Sequence, residues 1–94
     1  MFIIKLTYTK PLEVMDKLRP AHLEFLDKYY AENVFIASGR QNPPVGGIII
    51  ASKTSKENLE KIIKEDPFYT EKAAQYEITE FNPVKFNPII KDLI

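Results

Sequence analysis

The chain has 94 residues, of which thirteen are Lys or Arg and thirteen are Asp or Glu, so its formal net charge is zero. This length predicts one small domain, and the balanced charge disfavours a generic binder of nucleic acid or of an anionic membrane. The absence of cysteine excludes disulfides, thiolate metal sites and cysteine nucleophiles.

The opening segment is predicted to be a β-strand. Large apolar residues occupy every second position from Phe2 to Leu6, and the alternation continues to Tyr8. The segment lacks the charged leader and cleavage site of a signal peptide, and no apolar run approaches the length that spans a bilayer. We therefore expect a cytoplasmic protein that does not bind membranes.

A helix follows the first strand. Apolar residues recur at helical spacing from Leu12 onward, and Asn33 suits the left-handed conformation that closes a helix. Pro20 interrupts this run, because an interior proline removes one hydrogen bond and clashes with the preceding turn. We expect a short first turn over about residues 11–18 and a main helix from about Pro20, which places His22 in a helical first turn.

The middle of the chain is predicted to form a β-hairpin. Residues 34–39 and 47–51 are rich in β-branched and aromatic side chains, and the loop between them, residues 40–46, contains prolines and a glycine. The two strands should pair antiparallel.

A second helix and a fourth strand complete the predicted domain. The spacing from Thr54 to Glu57 is that of a capping box, the apolar stripe that follows continues to Glu65, and Pro67 ends the helix. Residues 76–81 alternate as a strand. The order strand, helix, strand, strand, helix, strand predicts a ferredoxin-like α+β fold, βαββαβ with a four-stranded antiparallel sheet.

The C-terminal segment has a different composition from the predicted domain, which spans residues 1–83. Residues 84–94 contain six large apolar side chains and one of two Asn-Pro breaks, which is too apolar for a solvated tail. We expect this tail to pack on the domain or on a partner subunit.

The chain resembles the YciI-like, or YCII-related, family of small ferredoxin-like proteins. The resemblance extends to about Pro83 and rests on five segments in order: residues 7–9, 18–26, 35–39, 46–47 and 66–68. It implies a dimer of the dimeric α/β-barrel type with a pocket against the sheet. It also implies a histidine and aspartate pair that matches His22 and Asp66.

His22 is the only histidine of the chain. Histidine changes charge near neutral pH, and a carboxylate partner orients it for proton transfer, so His22 and Asp66 are the candidate catalytic pair. Each residue also has a structural interpretation. A lone helical histidine is often simply packed, and an aspartate before a proline is a common helix N-cap.

Five further residues are candidates for substrate binding. The backbone amides of Ser38 and Gly39 and the Ser38 hydroxyl can stabilise a developing oxyanion, or these residues simply end a strand. Arg40 and Arg19 can hold a substrate carboxylate, or they are solvated surface charges. The Tyr8 hydroxyl can point into the same pocket, or the ring is an edge aromatic.

Metal and cofactor sites are not expected. One histidine with scattered acids makes a poor transition-metal site, and the chain has neither a glycine-rich phosphate loop nor a dinucleotide fingerprint. The central strands lack the stacking aromatics of RNA-recognition modules, so no nucleic-acid partner is expected.

Three functions stay open. The first is a homodimeric, cofactor-independent enzyme of isomerase or lyase type that transfers protons on a small anionic or cyclic organic substrate. The second is a small-molecule-binding or accessory module without catalysis. The third is a structural protein whose fold mainly supplies a dimer surface. The fold alone does not choose between them.

Overall fold

The computed structural model describes residues 1–94 and contains the predicted sequence of elements. In chain order these are β1 (Phe2–Tyr8), α1 (Leu12–Ala31), β2 (Phe35–Arg40), β3 (Gly46–Ala51), α2 (Lys56–Ile63), α3 (Pro67–Thr70), β4 (Ala74–Glu80) and a 3₁₀ helix (Pro88–Leu93). The strands form one four-stranded antiparallel sheet in the order β2-β3-β1-β4. The prediction of an α+β fold with ferredoxin-like order is confirmed.

The prediction of a helix break at Pro20 is wrong. α1 runs without interruption through Pro20, so His22 lies in the middle of a 20-residue helix and not in a first turn. Both Pro20 and Asp16, whose carbonyl loses its usual N–H partner, are exposed, so water can replace the lost bond. Met15 on one side of the proline and Leu26 on the other are buried in the core, and this packing keeps both halves of the helix in place.

Several predicted boundaries shift by one or two residues. The N-cap of α2 is Ser55 rather than Thr54, and its hydroxyl accepts a hydrogen bond from the Asn58 amide at 3.1 Å. α2 ends at Ile63, and Pro67 starts the one-turn helix α3 instead of ending α2. The left-handed conformation predicted for Asn33 is present, with φ of 59°.

The core lies between one face of the sheet and the helices. In β1 the side chains of Phe2, Ile4 and Leu6 are buried, whereas Ile3 and Lys5 are exposed on the opposite face. Fifteen buried hydrophobic residues form one cluster on the helix side. The sheet therefore has one covered and one open face.

An irregularity in β2 sets which of its side chains face the helices. The register with β3 shifts between Phe35 and Ala37, which is a β-bulge. Phe35 pairs with Ala51, and beyond the bulge Ser38 pairs with Ile49 and Arg40 with Gly47. Ser38 and Arg40 therefore lie on the covered face.

The C-terminal tail extends beyond β4 and returns to the domain at its end. Lys53 donates a hydrogen bond to the carbonyl of Asp92, and Asn87 caps the 3₁₀ helix by accepting from the Ile89 amide at 3.0 Å. Val84 and Ile89 stay 89% and 86% exposed. None of the helices combines the length and the apolar composition of a membrane-spanning segment.

Candidate active site

The structure brings His22 and Asp66 into contact although they are 44 positions apart in the chain. His22 projects from the middle of α1, and Asp66 is the N-cap of α3, where its Oδ1 accepts the Phe68 amide hydrogen at 3.0 Å. Nδ1 of His22 lies 2.8 Å from the same Oδ1. Asp66 thus caps a helix and holds the imidazole at once.

The Asp66 carboxylate is fully buried and surrounded by hydrogen-bond donors. Its relative exposure is 0%, and its Oδ2 accepts a hydrogen bond from the Tyr76 hydroxyl at 2.6 Å. A carboxylate accepts hydrogen bonds and donates none. We therefore assign the hydrogen between Asp66 Oδ1 and His22 to Nδ1 of the imidazole. The neutral imidazole then carries its lone pair on Nε2.

The His22 ring is fixed by packing as well as by Asp66. It stacks on Phe68 with ring centroids 4.0 Å apart and an interplanar angle of 8°. Nε2 makes no hydrogen bond within the chain. Gln41 Oε1 is the only buried side-chain polar atom without a hydrogen-bond partner, so Nε2 is not buried and keeps solvent access. The free ring nitrogen is therefore available to a ligand.

His22 lines a cavity of about 120 Å³ between α1 and the sheet. Its apolar wall is formed by Leu6, Leu23, Leu26, Ile49 and Phe68. All five residues predicted to bind substrate border the same cavity: Tyr8, Arg19, Ser38, Gly39 and Arg40. Asp66 lies behind His22 and does not reach the cavity wall. The sequence-predicted residues therefore converge on one apolar pocket with a cationic border.

The two arginines of the cavity differ in their partners. Arg40 donates from Nη2 to Asp16 Oδ1 at 2.9 Å and from Nε to the Tyr8 hydroxyl at 3.2 Å. These hydrogen bonds, that to Asp16 first, raise the pKa of Arg40. Arg19 is exposed and makes no ion pair. Arg19 is thus the cation of the cavity whose charge no carboxylate offsets.

Ser38 is held by a residue of α1. Its Oγ lies 2.6 Å from the Tyr30 hydroxyl, and either oxygen can be the donor. A phenol is the more acidic of the two hydroxyls, so we assign the donor role to Tyr30. The Ser38 hydroxyl hydrogen then stays free for a ligand in the cavity.

Reasoning from the sequence missed Tyr76, Asp16 and Tyr30, which hold the predicted site residues in place. Tyr76 gave one signal that points to its role. It lies on the inward face of β4 with Ile78, and a tyrosine on a buried face needs a partner for its hydroxyl. Asp16 and Tyr30 are exposed or half-buried helix residues, and nothing in their spacing singled them out.

Glu65, next to Asp66, ties the same turn to α1 a second time. Its Oε2 accepts from the Tyr29 hydroxyl at 2.5 Å and its Oε1 from Lys28 Nζ at 2.9 Å. The hydrogen bond from Lys28, and then that from Tyr29, lower the pKa of Glu65 below its ordinary 4.5. The turn that carries Asp66 is therefore attached to α1 through two neighbouring side chains, those of Glu65 and Asp66.

We expect the protein to lose the stabilisation that Glu65 provides when the pH becomes acidic. Because its pKa is lower in the folded state, its contribution is complete above about pH 4.5 and is lost as the pH falls through the folded value. The urea midpoint of the wild type should therefore fall more steeply than that of Glu65→Gln between about pH 5 and pH 3. The difference should be small because the carboxylate is partly exposed. Glu60→Gln, on α2, serves as the control, and parallel curves for all three proteins would contradict the expectation.

Comparisons with known proteins agree with this architecture. The family model of the YCII-related domain matches residues 1–82. Among solved structures, the chain is similar to the 5-chloro-2-hydroxyhydroquinone dehydrochlorinase of Burkholderia phenoliruptrix AC1100 in complex with 2,5-dihydroxybenzoquinone. The TM-score is 0.72 at 17% identity, with 87% of this chain and 94% of the other covered. No curated protein matches the sequence.

Proposed function

The chain belongs to the family of YCII-related domains, and on that premise we propose that it is a small enzyme that transfers protons without a cofactor. The reaction is of isomerase or lyase type on a small anionic or cyclic organic molecule. One observation carries the proposal. His22 is held at Nδ1 by a buried carboxylate 2.8 Å away, while its Nε2 makes no hydrogen bond within the chain and the residue lines an apolar cavity. This is the arrangement of a general base with an orienting partner.

The proposed proton transfer uses His22 in both directions. Nε2 takes a proton from a carbon or oxygen of the substrate, and the resulting imidazolium is stabilised by the negative charge of Asp66. The same proton then returns to another position of the substrate in an isomerisation. In an elimination, the electron pair left on the substrate expels a leaving group instead, and the imidazolium passes its proton to that leaving group or to water. The packing of the ring on Phe68 keeps Nε2 at one place during both steps.

Several hydrogen-bond donors lie where they can stabilise negative charge that develops on the substrate. Tyr8 accepts a hydrogen bond from Arg40, which leaves the Tyr8 hydroxyl hydrogen free for a substrate oxygen. The hydroxyl of Ser38 and the backbone at Gly39 border the same space. Arg19 supplies the attraction for an anionic substrate. Donors fixed in advance at a partly dry site stabilise a developing oxyanion more strongly than water does.

The size of the cavity and the structural neighbour support a small substrate. About 120 Å³ bounded by leucine, isoleucine and phenylalanine side chains is close to the size of apolar cavities that hold a single ring. The dehydrochlorinase of similar fold was solved in complex with 2,5-dihydroxybenzoquinone, a compound with a single ring. At 17% identity this likeness supports the class of ligand and not a particular substrate.

Deuterium exchange tests the proposal before the natural substrate is identified. A panel of small cyclic acids, lactones and phenols, including 2,5-dihydroxybenzoquinone, is incubated with the protein in D₂O and followed by proton NMR. We expect at least one compound to exchange a carbon-bound proton faster with the wild type than with His22→Gln. Saturable binding of panel members without His22-dependent exchange would support the binding-module function instead.

We also propose that the protein is a homodimer. Val84 and Ile89 of the tail and Val45 of the hairpin loop are 89%, 86% and 56% exposed, and Ile3 lies on the open face of the sheet. A small domain gains stability by covering such apolar surface with a second copy. Sedimentation velocity should give about twice the 10.9 kDa mass of one chain, and a monomer at micromolar concentration would contradict this proposal.

A further inference from the structure

We propose that Tyr76 is a positioning residue that fixes which nitrogen of His22 carries the hydrogen. Its hydroxyl acts through Asp66 and does not touch the cavity. This inference deepens the proposed function, on which it rests for its catalytic meaning. Its structural content, the state of the imidazole, can be measured on the protein without a substrate.

The two oxygens of the Asp66 carboxylate have different sets of partners. Oδ1 accepts from the Phe68 amide at 3.0 Å and from His22 Nδ1 at 2.8 Å. Oδ2 accepts from the Tyr76 hydroxyl alone, at 2.6 Å. Asp66 is 0% exposed, so water does not reach Oδ2 in its place. Tyr76 is thus the sole donor to one half of a buried carboxylate.

Loss of the Tyr76 hydroxyl would leave Oδ2 buried without a donor. A buried carboxylate oxygen without a partner is strongly unfavourable, so the side chain would rotate or take up a proton to restore a hydrogen bond. Either change weakens the contact between Oδ1 and Nδ1. The imidazole would then no longer be held in the state that presents a lone pair at Nε2.

Tyr76 is suited to act as a permanent donor. Burial, and secondly the nearby charge of Asp66, raise the pKa of the Tyr76 hydroxyl well above its ordinary value. The hydroxyl therefore keeps its hydrogen at neutral pH. Tyr76 lies opposite Leu6 in the sheet register, so the main chain of β4 and β1 fixes its position.

Phenylalanine at this position keeps the ring and removes only the hydroxyl. Tyr69 provides a matched control, because its ring lies 5.9 Å from that of Tyr76 but is 42% exposed, and its hydroxyl makes no hydrogen bond to the Asp66 carboxylate. Tyr76→Phe and Tyr69→Phe thus delete the same atom from neighbouring rings. Only the first deletion removes a donor from the carboxylate.

The test is nitrogen-15 NMR of the imidazole at about pH 8.5, where an ordinary imidazole is neutral. His22 is the only histidine, so all imidazole signals belong to this residue, and only its two ring nitrogens have to be told apart. We expect wild type and Tyr69→Phe to show hydrogen on Nδ1. In Tyr76→Phe the two ring-nitrogen shifts should move towards each other, as in a mixture of tautomers. On any panel compound that the wild type turns over, kcat should fall about 10- to 100-fold with KM within about twofold.

An unchanged Nδ1-protonated spectrum in folded Tyr76→Phe would overturn the inference, even if His22→Gln abolishes turnover. A changed spectrum in a protein that turns over no compound would leave the inference standing and count against the proposed function. If Tyr76→Phe does not fold, the wild type decides. The Tyr76 hydroxyl hydrogen should then give a slowly exchanging, downfield proton signal, and its absence would overturn the inference.

Discussion

Replacing His22 with glutamine is expected to lower turnover of any substrate by about 10²- to 10⁴-fold. The Phe68 amide and the Tyr76 hydroxyl still donate to Asp66, and glutamine keeps an N–H donor beside the buried carboxylate. It cannot accept and return a proton near neutral pH. The change should therefore appear in kcat, because the groups that attract the substrate, above all Arg19, are unaltered. The measurement is steady-state kinetics on a compound identified by deuterium exchange.

A reciprocal variant separates proton transfer from binding. Arg19→Gln should weaken binding of an acidic probe such as 2,5-dihydroxybenzoquinone about tenfold, because Arg19 is the cation without an intramolecular partner. Its effect on kcat should be small. Lys17→Gln, an exposed change on the same helix, should alter neither quantity. Equal activity of wild type and His22→Gln would contradict the catalytic role and leave the cavity as a binding site.

Asp66→Asn tests which property of the carboxylate matters. The Phe68 amide cannot turn away, so the amide oxygen of the new side chain should take the Oδ1 position and still accept from His22. Its NH2 group then lies at the Oδ2 position and donates to the Tyr76 oxygen, so that no buried polar atom loses its partner. The Nδ1-protonated state is then retained, and the negative charge that stabilises the imidazolium is lost. We expect Asp66→Asn to reduce kcat without a change in the tautomer of His22. A variant that only loses the orientation of the ring would instead show a changed tautomer.

Replacing Gly46 with alanine is expected to destabilise the protein by about 3 kcal/mol or more. A Cβ on Gly46 would lie 1.8 Å from the carbonyl oxygen of Leu6 and 2.9 Å from its carbonyl carbon. These are backbone atoms of β1, a central strand that pairs on both sides, so they cannot move without disturbing two ladders. Equilibrium urea unfolding gives the free energy of unfolding directly.

Gly39 provides the matched control for Gly46. A Cβ built on Gly39 meets nothing within 4 Å. Gly39→Ala should therefore change the free energy of unfolding by less than about 1 kcal/mol, and in the stabilising direction because alanine restricts the unfolded chain. Comparable destabilisation of the two variants would show that loss of glycine flexibility, and not the clash with Leu6, is the cause.

Periodicity and residue type were sufficient to predict the four strands and the two longer helices, but not the one-turn helix α3. The alternation in β1 and the apolar stripe of α2 are each repeated signals in which several side chains agree. The prediction at Pro20 was wrong because it relied on a single local signal. The packing that keeps the helix continuous is not visible in the sequence. The helix continues through Pro20 because its apolar residues on both sides reach the same core.

The candidate site was predictable only in part, for a reason of distance along the chain. His22 and Asp66 were found as chemical types, and the family resemblance joined them. The partners that hold them are specific to the folded geometry. Tyr76 lies ten positions from Asp66, and Asp16 lies 24 positions from Arg40. Such contacts depend on strand register and helix phase, which single-sequence patterns fix to no better than a residue or two.

Because of the β-bulge in β2, the number of residues in this strand decides which polar side chains reach the cavity. Successive side chains of a strand point to opposite faces, so the additional residue between Phe35 and Ser38 reverses the facing of everything that follows it. Without it, Ser38 and Arg40 would project from the open face while the hydrophobic core stayed intact. A relative that differs by one residue at this place would share the fold and lose Ser38 and Arg40 from the border of the cavity. Insertions and deletions in β2 are therefore a route by which this scaffold can change its ligand without a change in architecture.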